Sequence, residues 1–193
     1  MKTPIATRIL EAAVALFAES GYAGVSLTNL ERKAKVTRTS IYQQFGSKER
    51  LFEEALALAM GKLLDPGEFV ITIFENRKKQ TLPVLLTSAV ERWYAAMPRE
   101  TACLLVYSCL SGNRKWREMA LAPVERIIQL LAIGMEREIR KKSSFRPMTA
   151  AKAVILALLQ YKVLLAAEKP GKEETAEVRG MIEQWVKGLG AAT

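Results

Sequence analysis

Histidine is absent from this chain of 193 residues. That removes the commonest metal ligand and the usual general base at neutral pH. Cysteine is scarce, with Cys103 and Cys109 the two thiols. Six residues apart, they match no zinc motif, and about 600° of helix turns them to different faces. Two buried free thiols in a reducing compartment are expected, with no metal and no cofactor. Gly-rich phosphate loops, nucleophile motifs and paired catalytic carboxylates are also missing, so enzymatic activity is not expected. The sequence contains neither an internal repeat nor a low-complexity segment.

Long apolar runs are few. The best of them, residues 150–167, is interrupted by Lys152, Gln160 and Lys162. A membrane span needs about 20 predominantly apolar residues, so a buried helix fits better and no membrane partner is expected. The first residues carry no apolar signal core, which points to the cytoplasm.

Positive charge is in excess. The 29 Lys and Arg against 20 Asp and Glu leave a formal charge of +9, with a sequence pI near 9.7. Such a surplus favours a polyanionic partner, either nucleic acid or an anionic membrane surface. With 50% hydrophobic residues, a chain of this length can bury a core as one large or two small domains.

Helical periodicity runs through the chain. Thr3-Pro4 reads as a cap, followed by Ile5, Ile9, Ala13, Leu16 and Phe17 at helical spacing until Gly21. Ser26 caps a second helix, with Asn29 at its third position and Leu27, Leu30 and Ala34 turned inward. A turn at Lys35-Val36 leads to Thr37, the cap of a third helix of about two turns with Ile41 and Phe45 inward. Ser47-Lys48-Glu49-Arg50 opens a fourth, whose apolar face is Leu51, Phe52, Ala55, Leu56, Ala59 and Leu63. Asp65-Pro66-Gly67 reads as the clearest break, and residues 69–74 have β-like local propensity.

Further helices carry Leu86, Val90, Trp93, Tyr94 and Met97 up to Pro98, then residues 100–110 before the turn at Ser111-Gly112-Asn113. A long one follows with Val124, Ile127, Ile128, Leu131, Met135 and Ile139, which Pro123 either kinks or begins afresh. Residues 150–165 are apolar almost all round, and Val178, Met181, Ile182, Trp185, Val186 and Leu189 recur at helical spacing. Two such helices are better buried against a second copy of themselves. An all-α protein is expected.

A short amphipathic helix, a tight turn and a polar-faced second helix are what entry into a DNA groove requires. Ile9-Leu10-Glu11-Ala12-Ala13, Leu16-Phe17-Ala18-Glu19-Ser20-Gly21-Tyr22 and Ile41-Tyr42 followed by Phe45-Gly46-Ser47-Lys48-Glu49 carry a further signal. Through these residues the chain resembles the TetR family of prokaryotic transcriptional regulators, closely over about its first 55 residues and in architecture beyond them.

With Ile41 and Phe45 inward, Arg38, Thr39, Tyr42, Gln43 and Gln44 are left outward. Arg38 suits guanine or a phosphate and Gln43 suits adenine, while Thr37 and Thr39 at the helix start suit phosphate. By resemblance, Tyr42 and Lys48 are phosphate contacts and Thr28 adds another, with Lys2 and Arg8 supporting the edge. Two positions depart from the usual helix-turn-helix pattern: Glu31 stands where a small residue is common, and Lys35 where glycine is. Four residues apart with the acid first, they are expected to form an ion pair that partly compensates a left-handed turn.

The resemblance implies an N-terminal helix-turn-helix DNA-binding domain, residues 1–47, and a helical effector-binding and dimerisation domain, residues 48–193. It implies a homodimeric repressor on a palindromic double-stranded DNA operator, released by a small-molecule effector. Candidate pocket residues are Trp93, Tyr94, Met97, Cys103, Tyr107, Trp116, Met119 and Tyr161. The nearby acids Glu91, Glu100, Glu118 and Glu125 are expected on solvated faces, which favours a mainly hydrophobic effector. Leu158, Met181, Ile182 and Trp185 are candidates for the dimer interface. The competing reading is a basic helical protein that binds a protein partner or a membrane surface without sequence-specific DNA binding.

Overall fold

The computed structural model describes residues 4–75 and 82–136, and beyond them 146, 148, 149, 151–153, 155–157, 180 and 184. Its elements are α1 (Ile5–Gly24), α2 (Leu27–Ala34), α3 (Arg38–Phe45), α4 (Lys48–Glu75), α5 (Leu82–Ala96), α6 (Arg99–Leu110) and α7 (Arg114–Glu136). Among the described residues there is no strand, and the fold is all-α.

The chain divides into two compact units. The first comprises Met1–Lys62 and Glu100–Pro123. Here α1, α2 and α3 pack on one another, burying Ile9, Ala13, Phe17, Leu30, Ala34, Ile41 and Phe45. Leu51, Phe52, Ala55, Leu56 and Ala59 of α4 are buried too, and the Thr101 hydroxyl donates to the Ala59 carbonyl at 3.4 Å. Ile5, expected on the inner stripe, is half exposed at the start of α1. Pro4 itself occupies the N-cap position, with no side-chain capping bond.

An aromatic cluster organises this unit. The Phe52 ring lies 5.0 Å from Phe17, 4.4 Å from Trp116 and 6.1 Å from Tyr107. Tyr22 lies 4.9 Å from Trp116 and 5.5 Å from Phe52. Such tilted and edge-on pairs add to simple area burial. Gly21 breaks the α1 geometry at φ 67 and ψ 176, as expected, and a Cβ there would run into the Tyr107 ring. Only glycine adopts this backbone region freely while letting an aromatic ring approach so closely.

The second unit comprises Leu63–Arg99 and Val124–Thr193. Its buried residues include Leu63, Leu85, Val90, Trp93, Tyr94, Met97, Val124, Ile127, Ile128 and Leu131. Ala151 and Ile155 are buried as well, whereas Leu156 is exposed.

Three local expectations are corrected. Asp65-Pro66-Gly67 does not end α4, which continues to Glu75. Residues 69–74 are therefore helical rather than β-like. Proline removes one ladder bond, but local propensity is a weak prior that a long helix overrides. Of the two alternatives at Pro123 the fresh start is excluded, because α7 runs through it as one helix. Cys103 and Cys109 form no disulfide but are only half-buried, and burial pushes the Cys109 thiol up from its ordinary pKa.

Candidate nucleic-acid interface

Three caps set the geometry of α2, α3 and α4, each an oxygen that meets an orphan N–H of a helix's first turn. Ser26 Oγ accepts the Asn29 N–H at 3.1 Å. Thr37 Oγ1 accepts the Ser40 N–H at 3.3 Å, and Ser47 Oγ accepts the Arg50 N–H at 3.1 Å. Gly46, at φ 73, closes α3 by donating to the Tyr42 carbonyl at 2.8 Å. The result is a helix of two turns held at both ends.

The faces of α3 divide as the spacing requires. Ile41 is 1% exposed and Phe45 3%, while Arg38, Thr39, Tyr42, Gln43 and Gln44 are exposed. Thr28 and Thr37 are exposed nearby. The outward set therefore carries guanidinium, hydroxyl, phenol and amide groups, the donors and acceptors that base edges and phosphates can meet.

Lys48, the first residue of α4, is half-buried with its ammonium 4.5 Å from the centre of the Tyr22 ring. A cation over an aromatic face is attracted by the ring quadrupole. Burial lowers the Lys48 pKa. The Tyr22 pKa is raised by burial first, then by the negative charge of Glu49 and by Tyr107.

The turn between α2 and α3 corrects the expected pairing of Glu31 with Lys35. Lys35 is left-handed as anticipated, at φ 53 and ψ 52. Glu31, however, turns its carboxylate to Arg38. Glu31 Oε1 accepts the Arg38 backbone N–H at 2.7 Å, and Oε2 lies 3.4 Å from Arg38 Nη2. Arg38 Nη2 also donates to Thr28 Oγ1 at 3.1 Å. The orphan N–H at the start of α3 needs an acceptor, whereas an extended lysine does not need this one. The Glu31 carbonyl meanwhile accepts the Val36 N–H at 3.1 Å, a closure typical of a left-handed helix end.

Arg8, expected to support the edge, donates from Nη2 to the Lys35 carbonyl at 2.9 Å. It lines a shallow depression of about 340 Å³ with Glu11, Ala12, Lys33, Ala34 and Lys35. Neither contact of this turn, Glu31 with Arg38 or Arg8 with Lys35, follows from helical spacing. The signal for the first was the unusual acid at Glu31, seven residues before Arg38.

The remaining candidates are placed unevenly. In the second unit, Trp93, Tyr94 and Met97 are buried, and the Trp93 indole N–H has no acceptor among the described residues. In the first unit, Cys103, Tyr107 and Met119 are half-buried, and Trp116 is packed against Tyr22 and Phe52. Lys2, Tyr161, Leu158, Met181, Ile182 and Trp185 lie outside the described residues. Among the described residues no group of His, Cys, Asp and Glu could hold a metal ion. None of the described helices is long and apolar enough to cross a membrane.

Residues 9–55 match the bacterial regulatory proteins of the tetR family. The biofilm operon icaADBC HTH-type negative transcriptional regulator IcaR of Staphylococcus aureus is 24% identical over 78 residues, which span 40% of this chain and 40% of IcaR. The alignment thus covers less than half of that relative. A TetR-like transcriptional regulator from Rhodococcus sp. RHA1 superposes with a TM-score of 0.78 at 16% identity, covering 100% of both chains. FadR of Bacillus subtilis, solved in complex with stearoyl-CoA, gives a TM-score of 0.69 at 17% identity, over 94% of this chain and 98% of its own.

Proposed function

We propose that this chain, whose residues 9–55 match the tetR family of bacterial regulatory proteins, is a ligand-responsive repressor acting as a homodimer on a palindromic operator. The observation that carries this reading is α3. Its outward residues are polar or aromatic throughout, its inward residues are buried, and caps hold both ends. Arg38 and Gln43 would read base edges in the major groove. Thr28, Thr37, Thr39, Tyr42, Gln44 and Lys48 would meet the backbone or flanking edges. Residues 1–47 would supply DNA binding, and residues 48–193 effector binding and dimerisation.

The effector we propose is small and mainly hydrophobic. Trp93, Tyr94 and Met97 supply apolar surface, and the Trp93 indole N–H offers a donor that an oxygen acceptor would satisfy. A ligand with a long apolar chain is held by FadR, which was solved with stearoyl-CoA, and this supports an effector with a substantial apolar part. The effector would act by binding two dimer geometries unequally, so that release from DNA is a shift between them.

Selection of bound sequences from a random duplex library tests the reading. A palindromic consensus is the expected result. Enrichment of no sequence, with binding that vanishes at moderate salt, would point instead to a basic protein without sequence-specific recognition.

A further inference from the structure

Glu31 is an acid beside the DNA-reading helix of a basic protein, where its charge repels phosphate. Its carboxylate is committed on both oxygens: Oε1 takes the Arg38 backbone N–H at 2.7 Å, and Oε2 lies 3.4 Å from Arg38 Nη2. Thr28 Oγ1 takes a second bond from the same Nη2 at 3.1 Å. The Arg38 side chain nonetheless remains 53% exposed. Its guanidinium is anchored on one nitrogen while Nη1 and Nε keep their donors for another partner.

We propose that Glu31 is a positioning residue for base selection, holding Arg38 so that its free donors read a guanine and are not spent on phosphate. This rests on the reading of α3 as the DNA-reading helix and deepens it. Two consequences of the geometry support it. A free arginine at a helix start is drawn to the nearest phosphate, which carries no sequence information. Tied to Thr28 and Glu31, the guanidinium has lost part of its rotamer freedom before DNA arrives, so ordering it on a base costs less. The carboxylate also occupies the first N–H of α3, a donor that a phosphate would otherwise take.

The mechanism separates from simple structural support. Without the carboxylate the fold keeps the Thr37 cap, but the guanidinium is free to swing to phosphate. Binding to non-cognate duplex should then tighten and become more salt-dependent, while discrimination at the guanine falls.

Library selection on the full chain, with Glu31→Ala, Glu31→Gln, Arg38→Ala and the Glu31→Ala/Arg38→Ala pair, tests this alongside thermal melting. Arg38→Ala should lose about tenfold preference for guanine at one position of each half-site. Glu31→Ala should lose most of the same preference at the same position, and bind non-cognate duplex a few-fold more tightly. Glu31→Gln, whose amide oxygen still accepts the Arg38 N–H, should retain part of the preference. The double variant should discriminate no worse than Arg38→Ala alone. If Glu31→Ala weakens every sequence alike and leaves the consensus unchanged, the carboxylate is merely structural and the proposal fails. A wild-type chain that enriches no sequence would overturn the DNA-reading assignment itself, a separate outcome.

Discussion

Lys48 holds its ammonium 4.5 Å from the centre of the Tyr22 ring, so a proposed phosphate contact is seated on the aromatic cluster of its own unit. The ring braces the side chain and burial lowers its pKa. Lys48→Ala and Tyr42→Ala should each weaken DNA binding about equally for all sequences, and Lys48→Ala, which removes a charge, should also reduce the salt slope by about 1. Gln43→Ala should instead relax one position per half-site at a cost of roughly 1–3 kcal/mol. As pH rises through the lowered Lys48 pKa the charge is lost earlier than on an ordinary lysine, so affinity should fall there, and Lys48→Arg should abolish that step. Gel-shift titrations check each outcome, and an unchanged affinity for Tyr42→Ala would reject α3 as the contact helix.

The turn gives a stability test. Lys35→Gly should stabilise the chain by about 1 kcal/mol, because the left-handed backbone is costly for a residue with a Cβ. Glu31→Ala should destabilise by about 1 kcal/mol through loss of an acceptor at the start of α3. Since the carboxylate serves Arg38 and not Lys35, the double variant should lie near the sum of the two. Urea denaturation measures all three. A double variant more stable than Lys35→Gly alone would mean that the carboxylate does not cap α3.

Gly21 should tolerate nothing larger. Gly21→Ala places a Cβ against the Tyr107 ring and forces alanine into a strained backbone region, a cost of about 2 kcal/mol or more. Adding Tyr107→Leu should restore only part of it, because the backbone strain remains. Full recovery in a thermal melt would assign the whole cost to the ring.

The proposed dimer predicts that Leu158→Glu or Trp185→Glu yields monomers on a sizing column and loses operator binding, since one head alone keeps half the contacts. Large apolar side chains at a desolvated centre carry most of an association energy. A wild-type chain that is monomeric at micromolar concentration would refute the arrangement.

For the effector, tryptophan fluorescence should respond saturably to neutral hydrophobic compounds, and a Trp93→Phe variant should lose most of that response. Saturable quenching by quaternary ammonium compounds alone would count against a neutral ligand.

The N-terminal unit was legible because its signals are local. Ser26, Thr37 and Ser47 announce helix starts through short side-chain bonds, and the alternation of Ile41 and Phe45 with polar residues gives the outward face of α3. Lys35 could be assigned a left-handed conformation because a tight turn demands one. The partner of Glu31 was not legible, because it depends on how α2 and α3 cross. Helical spacing pointed four residues ahead to Lys35, whereas the fold brings Arg38 closer. The course of α4 through Pro66 escaped for a similar reason: a breaker read locally says nothing of the helix on either side.

The closeness of Tyr22 to Trp116, 4.9 Å between ring centres, has an optical consequence. At that separation an excited phenol passes its energy to the indole far faster than it emits, so Tyr22 should be dark in the native state. Its emission should return once the two rings part. The difference in tyrosine emission between the wild-type chain and Tyr22→Phe, which subtracts the other four tyrosines, would then report the opening of this unit.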